Sequence, residues 1–308
     1  MLLLMNDSGV QKFRDPALVD FGCGRRLERL GGILVDRPLP HVQNLRQFPD
    51  LWTAATAQHI SGTDSTQADS GEKSRWIFTG PTPDPWRIEV PLTRLTLSLE
   101  VRPAPSGQIG VFLEQLEQCR WLDHVTPNNG TMLSLFAHAG AATLSMAAAG
   151  AEVVHVDASR PALALARRNA AASALTNASI RWICEDVRTF IAREVRRGAR
   201  YAGVVLDPPS WGHGPKGQAF SIDRDLLPLL GDIATLLDST GSPDTGKRST
   251  NALILLTSHS PGWHAGRLRE ALASVLRCRR MESGWLTCED DAGRLLTLGA
   301  YARQAPSV

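Results

Sequence analysis

The sequence lacks the features that would mark a metal, disulfide-bonded or membrane protein. Its five cysteines are scattered and include no Cys-x-x-Cys pair, so we expect no metal site and no disulfide framework, in a reducing, cytoplasmic environment. No apolar run reaches the ~20 residues of a membrane span, so no membrane partner is expected. Residues 1–5 are apolar, but this run is too short and lacks the basic flank of a signal peptide.

Three further absences narrow the classes of function. A complete Gly-x-Gly-x-x-Gly fingerprint is missing, which argues against a nicotinamide-dependent oxidoreductase. The net charge is only +2 over 308 residues, so bulk charge permits a phosphate-rich partner but does not require one. Aromatic residues make up 6% of the chain, which leaves few stacking platforms for single-stranded RNA.

The first 105 residues are predicted to form a tail and a small β-rich domain. The tail covers residues 1–17, short apolar pieces fill residues 18–48, and three strand-like runs lie within residues 75–101. Residues 53–75 are rich in Thr, Ser, Gln, Gly and Asp, and they are predicted to form a partly disordered surface excursion.

Residues 106–308 show a different pattern, in which strand-like and helix-like segments alternate. Five apolar strand-like runs each precede a helix-like segment, a polar linker is predicted over residues 238–251, and residues 283–302 resemble a closing hairpin. This alternation predicts an α/β fold with a doubly wound, mostly parallel sheet covered on both faces. Ligands of such sheets bind at the carboxyl ends of the strands.

Small or acidic residues occupy the first two of these strand ends. The turn Phe136–Gly140 opens a helix, and its small residues would let a ligand approach the backbone, although helix–strand packing alone would also explain them. Asp157 ends the second strand, where an acid can accept hydrogen bonds from ribose hydroxyls. Ser159 is better placed than Asp157 to cap the next helix.

Acids also occupy the next two strand ends. Asp186 could accept a hydrogen bond from the exocyclic amine of an adenine, with Val187 packed against the ring. Alternatively, Asp186 could cap the following helix, and both interpretations stay open. Asp207 ends the fourth strand. The small-residue turn, Asp157, Asp186 and Asp207 form an ordered series that suits a nucleoside with a charged tail.

Three segments resemble the class I S-adenosylmethionine-dependent methyltransferases: "LFAHAGAATLSMAAAGAEVVHVDAS", "CEDVRTFI" and "VVLDPPSWGHGPKGQAFSIDRDL". The likeness is greatest to the branch that modifies bacterial large-subunit ribosomal RNA. That branch has Leu-Phe-x-x-x-Gly and Asp-Pro-Pro-x-Phe motifs and a preceding Gly-x-Phe-x-(Asp/Glu)-Gln segment, which is residues 110–115 in this chain. The resemblance spans roughly residues 85–303. It implies a Rossmann-like fold, S-adenosylmethionine as the cofactor and RNA, ribosomal RNA in particular, as the partner.

The resemblance also implies individual roles. Gln115 and the 136–140 turn would hold the methionine end of the cofactor, and Asp207 would lie beside the reacting sulfonium. Asp157 would hold the ribose, and Asp186 the adenine. The implied cofactor-binding residues are therefore Gln115, Phe136, Ala137, Gly140, Asp157, Asp186, Val187 and Asp207.

The type of atom that is methylated determines which residues the enzyme needs. Methylation at carbon 5 of a pyrimidine needs a cysteine thiolate, and the 5-methylcytosine relatives carry one just after strand five, where this chain reads Thr257-Ser258-His259-Ser260. Cys184 is predicted to be a small buried hydrophobe on strand three. We therefore expect methylation at a nitrogen, which needs close alignment but no covalent catalyst.

The candidate catalytic segment is Asp207, Pro208, Pro209 and Ser210, followed by a glycine-rich run over residues 212–217 that would act as a hinged flap. The candidate substrate-binding residues are Trp211, Lys216 and His259. Trp211 would stack on a base presented outside its helix or anchor the loop on the sheet. His259 would orient a base edge or bond the backbone.

Arginines provide the remaining charge. Arg224 and the group Arg25, Arg26 and Arg29 could position phosphates. A small-molecule or protein substrate for the same fold, an oxidoreductase and a non-catalytic binding module are the alternatives to an RNA methyltransferase.

Overall fold

The computed structural model describes residues 14–61, 74–213, 219–237, 248–278 and 280–306. The chain divides into two compact units, each assembled from separate stretches of sequence. Unit 1 comprises residues 1–90, 98–113 and 288–296. Unit 2 comprises residues 91–97, 114–287 and 297–308.

The secondary structure of the described residues alternates as the sequence predicts after residue 105. The helices are α1 (Pro49–Thr53), α2 (Leu116–Val125), α3 (Ala141–Ala148), α4 (Arg160–Ala172), α5 (Val187–Arg197), α6 (Ile222–Leu236) and α7 (Ala265–Val275), with a 3-10 turn at Leu113–Gln115. The first nine strands are β1 (Ala17–Gly22), β2 (Arg25–Leu30), β3 (Ile33–Pro38), β4 (Ala57–Ile60), β5 (Arg75–Phe78), β6 (Arg87–Pro91), β7 (Thr96–Glu100), β8 (Thr131–Leu135) and β9 (Glu152–Asp157). The others are β10 (Ile180–Cys184), β11 (Gly203–Leu206), β12 (Trp211–His213), β13 (Ala219–Ser221), β14 (Arg248–Thr250), β15 (Leu253–Ser258), β16 (Leu276–Cys278), β17 (Glu282–Glu289) and β18 (Leu295–Gln304).

Unit 1 is built on a five-stranded sheet with the order β1-β2-β3-β4-β5, which confirms the small N-terminal β-rich sheet. Strand β3 runs parallel to β4, and the other pairs are antiparallel. The buried carboxylate of Asp20 accepts the indole N–H of Trp52 at 2.8 Å and pairs with Arg294 at 2.6 Å. Since a buried charge is tolerated only when it is paired, Arg294 is an integral part of this unit.

Unit 2 is built on a seven-stranded sheet with the order β10-β9-β8-β11-β15-β18-β17. Its first five strands in this order pair in parallel, and β18 runs antiparallel to β15. Strands β11 and β15 are buried along their whole length, and β8 is buried except at its first residue, as expected for a sheet covered on both faces. The doubly wound, mostly parallel α/β fold is therefore confirmed.

The strand order places a ligand crevice in unit 2. Chain order runs outward from β8 through β9 to β10 on one side, and from β11 to β15 on the other. The connections change direction between β8 and β11, and doubly wound sheets bind ligands at the carboxyl ends of the strands beside such a switch point. The turn that follows β8 and Asp207, which follows β11, stand at this point.

Two predictions about loops are wrong. Within the predicted excursion of residues 53–75, residues 57–60 form strand β4, with Ala57 and His59 buried. Buried residues of this strand alternate with partly exposed ones, a period of two that the polar composition of the surrounding segment does not reveal. Likewise β14 lies within the predicted linker, and its Thr250 is buried. Residues 62–73 and 238–247, and residues 1–13 of the predicted tail, lie outside the described part of the chain.

Among the residues that the structure describes, no helix is long and apolar enough to cross a lipid bilayer.

Candidate active site

The turn after β8 has an unusual backbone conformation. Phe136, His138 and Gly140 all have positive φ, at 52°, 45° and 87°. Residues other than glycine rarely adopt this backbone conformation. A Cβ atom on Gly140 would lie 3.0 Å from the Cβ of Ala166 in α4. Gly140 therefore serves close helix packing as well as the turn, so the packing interpretation is supported and a cofactor role for Phe136, Ala137 and Gly140 stays a prediction.

Asp157, at the end of β9, is held by backbone donors. Its Oδ2 accepts the N–H of His138 and its Oδ1 accepts the N–H of Ser159, both at 2.8 Å. A carboxylate has about four acceptor positions, so two remain for the hydroxyls of a ribose. Ser159 itself accepts the N–H of Ala162 and caps α4, as predicted.

Asp186, at the end of β10, caps α5. Its Oδ1 accepts the N–H of Thr189 at 3.1 Å, and its Oδ2 accepts a hydrogen bond from Arg188 at 3.3 Å. The capping interpretation of Asp186 is thus confirmed, and Oδ2 keeps a position for one further donor. The Val187 side chain is only 2% exposed and lies in the main core of unit 2, so a contact with an adenine would involve its backbone.

Asp207, at the end of β11, is the centre of a side-chain network at the switch point. Its Oδ1 accepts the hydroxyl of Thr257 at 2.7 Å, and its Oδ2 accepts the Nε2 amide of Gln115 at 3.3 Å. The same amide also donates to the Thr257 oxygen at 3.3 Å. These hydrogen bonds orient the Asp207 carboxylate, and 38% of its side chain remains exposed, so a ligand can reach it.

His259 connects Asp207 to a buried acid. Its Nε2 lies 3.1 Å from Glu114 Oε1, and its Nδ1 lies 3.5 Å from Asp207 Oδ1. Burial lowers the pKa of His259, but the hydrogen bonds to Asp207 and Glu114 outweigh it and raise the pKa to about 10. An imidazolium at neutral pH cannot accept a proton, so His259 is suited to holding the two carboxylates rather than to acting as a base.

The protonation of His259 gives a prediction for stability against pH. Because its pKa in the folded protein is about 10, against an ordinary value of 6.5, the stabilisation is complete below about pH 6.5 and is lost as the pH rises through about 10. The free energy of unfolding of the native protein should therefore fall across this range relative to that of a His259→Gln variant, as measured by denaturant unfolding. An NMR titration of the His259 ring with a midpoint near 6.5 would contradict the assignment.

The Asp-Pro-Pro-Ser segment is fixed at its far end. The hydroxyl of Ser210 donates to that of Ser260 at 2.8 Å. Pro208 is buried, whereas Pro209 and Ser210 are exposed. The two prolines restrict the backbone, and the serine pair ties the segment to the chain after β15.

Trp211 follows this segment with its indole 59% exposed. It begins β12, which pairs antiparallel with β13. Of the predicted hinged flap over residues 212–217, residues 212 and 213 belong to β12, and residues 214–217 lie outside the described part of the chain. This exposure disagrees with the interpretation of Trp211 as an anchor packed on the sheet, and it leaves the stacking role as the prediction. Lys216 lies outside the described residues. Arg224 pairs with Asp225 at 2.8 Å.

Three residues of the site escaped the sequence analysis: Glu114, His138 and Thr257. Burial lowers the pKa of His138, while Asp157 and Asp207 oppose that effect, so its neutral ring lies in the field of both carboxylates. The position of His138 inside the small-residue turn was a usable signal. Glu114 fills the Asp/Glu position of the segment over residues 110–115, which was also a usable signal, whereas Thr257 offered none beyond its proximity in sequence to His259.

Cys184 is exposed, so the prediction that it is buried is wrong. Strand β10, which carries Cys184, forms one edge of the seven-stranded sheet, and edge strands are covered less completely than central ones. The Cys184 thiol lies 3.7 Å from the carbonyl oxygen of Ala158.

A sheet of this order, with carboxylates at three successive strand ends beside a switch point, defines a class of nucleoside-binding α/β proteins. No protein-family model matches the chain. The solved structure of the S-adenosylmethionine-dependent methyltransferase from Agrobacterium tumefaciens is 30% identical, with a TM-score of 0.78, covering 94% of this chain and 90% of that one. This chain belongs to the S-adenosylmethionine-dependent methyltransferases, and S-adenosylmethionine is its cofactor.

Two other relatives add detail. A methyltransferase structure from Streptococcus mutans, 14% identical with a TM-score of 0.65 and covering 91% of this chain and 70% of that one, agrees in fold alone. Ribosomal RNA large subunit methyltransferase K/L from Methylococcus capsulatus is 32% identical over 134 residues, which are 43% of this chain and 18% of that protein. The chain therefore matches less than a fifth of the length of this relative.

Proposed function

We propose that the protein transfers a methyl group from S-adenosylmethionine to a base nitrogen in structured RNA, with ribosomal RNA as the substrate class and the cytoplasm as its location. The observation that carries the proposal is the position of Asp207. Gln115, Thr257 and His259 hold it at the switch point, and the exposed Trp211 follows four residues later.

The site residues fit a nucleoside cofactor that, when bound, supplies a methyl group on positively charged sulfur. Asp157 keeps about two acceptor positions for ribose hydroxyls, and Asp186 keeps about one for an amine. Gln115 and the 136–140 turn would hold the amino-acid end of the cofactor.

Asp207 would act on the accepting nitrogen. A carboxylate can accept a hydrogen bond from an amine and stabilise the positive charge that develops on it as the methyl group arrives. Asp207 can do so without moving, because Thr257 and Gln115 already orient it. Pro208, Pro209 and Ser210 would form the wall that aligns the base.

Two features favour a base nitrogen in RNA over the alternatives. The segment after β15, where a carbon-5 enzyme would need a thiolate, reads Thr257-Ser258-His259-Ser260 and contains no cysteine. The 134-residue match to a protein named as a ribosomal RNA methyltransferase supports RNA as the substrate.

A transfer assay with tritiated methyl groups tests the proposal. The protein is incubated with labelled S-adenosylmethionine and, separately, with ribosomal RNA, total protein and small-molecule fractions of a cell extract. Label should enter RNA, and an Asp207→Ala variant, which has no acceptor at this position, provides the control with low activity. Label confined to the protein or small-molecule fraction would refute the RNA assignment.

Replacing Trp211 should weaken RNA binding specifically. Stacking of a base on an aromatic ring contributes about 1–3 kcal/mol, so Trp211→Ala should raise KM for RNA by about 10- to 100-fold and leave KM for the cofactor unchanged. Trp285→Ala is the matched control, because this tryptophan is also exposed, at 55%, and lies in β17. An unchanged KM for RNA in Trp211→Ala, or an equal rise in both variants, would contradict the stacking role.

A further inference from the structure

Unit 1 contains a polar pocket that the methyl-transfer site does not use. Its volume is about 210 Å³, and its polar lining comprises Arg26, Arg37, His59, Ser61, Ser106 and Gln108. Pockets for drug-sized ligands measure about 300–1,000 Å³, so this one suits a single small polar group.

The pocket carries more positive than negative charge. Arg26 and Arg37 are direct partners across β2 and β3, a placement in which like charges repel. Both contact the same carboxylate: Glu28 accepts two hydrogen bonds from Arg37, at 2.7 and 2.9 Å, and lies 3.6 Å from Arg26. Glu28 is thus shared by the two guanidinium groups, and Arg37 donates in addition to the carbonyl oxygen of Gly107 at 3.1 Å.

The acid of the neighbouring strand β3, Asp36, is already matched by another arginine. Asp36 pairs with Arg25 at 2.5 Å and accepts the amide of Gln58 at 2.9 Å. Its charge is therefore matched by Arg25, which donates in addition to the backbone oxygen of His59 at 2.8 Å.

Arg26 has an unsatisfied donor. Its Nε is buried and has no hydrogen-bond partner among the described residues, although 14% of the side chain remains exposed. Buried polar groups in folded proteins are almost always paired. The unpaired Nε donor of Arg26 therefore indicates that the pocket binds a ligand with a hydrogen-bond acceptor.

His59 adds a second orphan atom. It is only 3% exposed, and its Nε2 donates to the carbonyl oxygen of Pro105 at 3.0 Å, since a carbonyl can only accept. The other nitrogen, Nδ1, is buried without a partner among the described residues. Because Nε2 carries the proton in this tautomer, Nδ1 is an acceptor in the neutral ring, and it would bind the protonated oxygen of a hydrogen phosphate. A side chain at residue 107 would crowd this atom, because a Cβ on Gly107 would lie 3.0 Å from Nδ1.

We propose that this pocket binds one oxyanion of the phosphate class, held by the guanidinium groups of Arg26 and Arg37. Guanidinium donors match the oxygen geometry of phosphate, and the hydroxyls of Ser61 and Ser106 can donate to the remaining oxygens. The phosphate can be free, or it can be a phosphodiester of an RNA substrate. If it is a phosphodiester, the inference rests on the proposed function, and unit 1 would position the RNA backbone.

Calorimetric titration with inorganic phosphate tests the pocket. Arg26→Gln should weaken phosphate binding at least tenfold, whereas Arg87→Gln, at an exposed arginine of β6 outside the pocket, should bind phosphate as the native protein does. Arg26→Gln should fold, because Glu28 keeps its two hydrogen bonds to Arg37, and thermal unfolding checks this. Arg26→Lys, which keeps the charge but loses Nε, should bind with intermediate affinity.

Absence of phosphate binding by the native protein, or equal affinity in the native and Arg26→Gln proteins, would overturn the proposal. A parallel titration with a uridine ribo-oligomer separates the two sources: weaker binding in Arg26→Gln identifies a phosphodiester, and loss of inorganic phosphate binding alone identifies a free anion. Methyl transfer to RNA is assayed separately. A protein that needs Arg26 for phosphate binding but methylates no RNA would refute the proposed function and leave the pocket assignment intact.

Discussion

Asp207→Ala should lower kcat for methyl transfer by about 10²- to 10³-fold, the scale of removing one preorganised polar group from an active site. The carboxylate is oriented by Thr257 and Gln115, so its removal deletes the oriented acceptor for the target nitrogen. The cofactor should still bind through Asp157 and the 136–140 turn. Single-turnover assays with labelled S-adenosylmethionine measure the effect.

The control for this experiment is Asp232→Ala, at an exposed position of α6 in the same unit. It should leave kcat unchanged. Circular dichroism and thermal unfolding show whether Asp207→Ala is folded. A folded Asp207→Ala protein with native turnover would remove Asp207 from the active site.

Asp157→Ala should weaken binding of S-adenosylhomocysteine by about 10²- to 10⁴-fold. Hydrogen bonds to a charged group contribute about 1.5–3 kcal/mol each, and Asp157 has two acceptor positions left for ribose hydroxyls. The substitution also removes the acceptor for the backbone N–H of His138, so the turn that follows β8 loosens as well. Both effects act in the same direction, and isothermal calorimetry measures their sum.

Glu152→Ala is the matched control for Asp157→Ala. Glu152 is an exposed acid at the opposite end of the same strand, so its loss should leave the affinity for S-adenosylhomocysteine unchanged. Native affinity in Asp157→Ala would remove the ribose assignment. An equal loss of affinity in both variants would indicate a general effect of acidic charge.

Local patterns were sufficient to predict the fold of unit 2. Alternating apolar runs identified the parallel strands, and short-range signals located Ser159 as the cap of α4. These features depend on residues close together in the sequence. Strand β4 was missed because its four residues, Ala57–Ile60, are embedded in a polar segment whose average composition resembles a loop.

The candidate site could be predicted only in part. Each acid at a strand end is visible in the sequence, because strand ends follow from local patterning. The partners of those acids are not visible, since His259 and Glu114 are 145 residues apart and meet only through the sheet topology. The same reason hid the sharing of Glu28 between Arg26 and Arg37, which depends on the register of β2 against β3.

Nucleoside mass spectrometry tests whether this methyltransferase modifies a nitrogen of an RNA base. Ribosomal RNA is treated with the native protein and deuterated-methyl S-adenosylmethionine, digested to nucleosides and compared with RNA treated with Asp207→Ala. We expect a deuterated methyl group on a base nitrogen, abundant only with the native protein. A methyl group on carbon 5 of a pyrimidine or on the ribose, or unlabelled RNA beside labelled protein or small molecules, would contradict it.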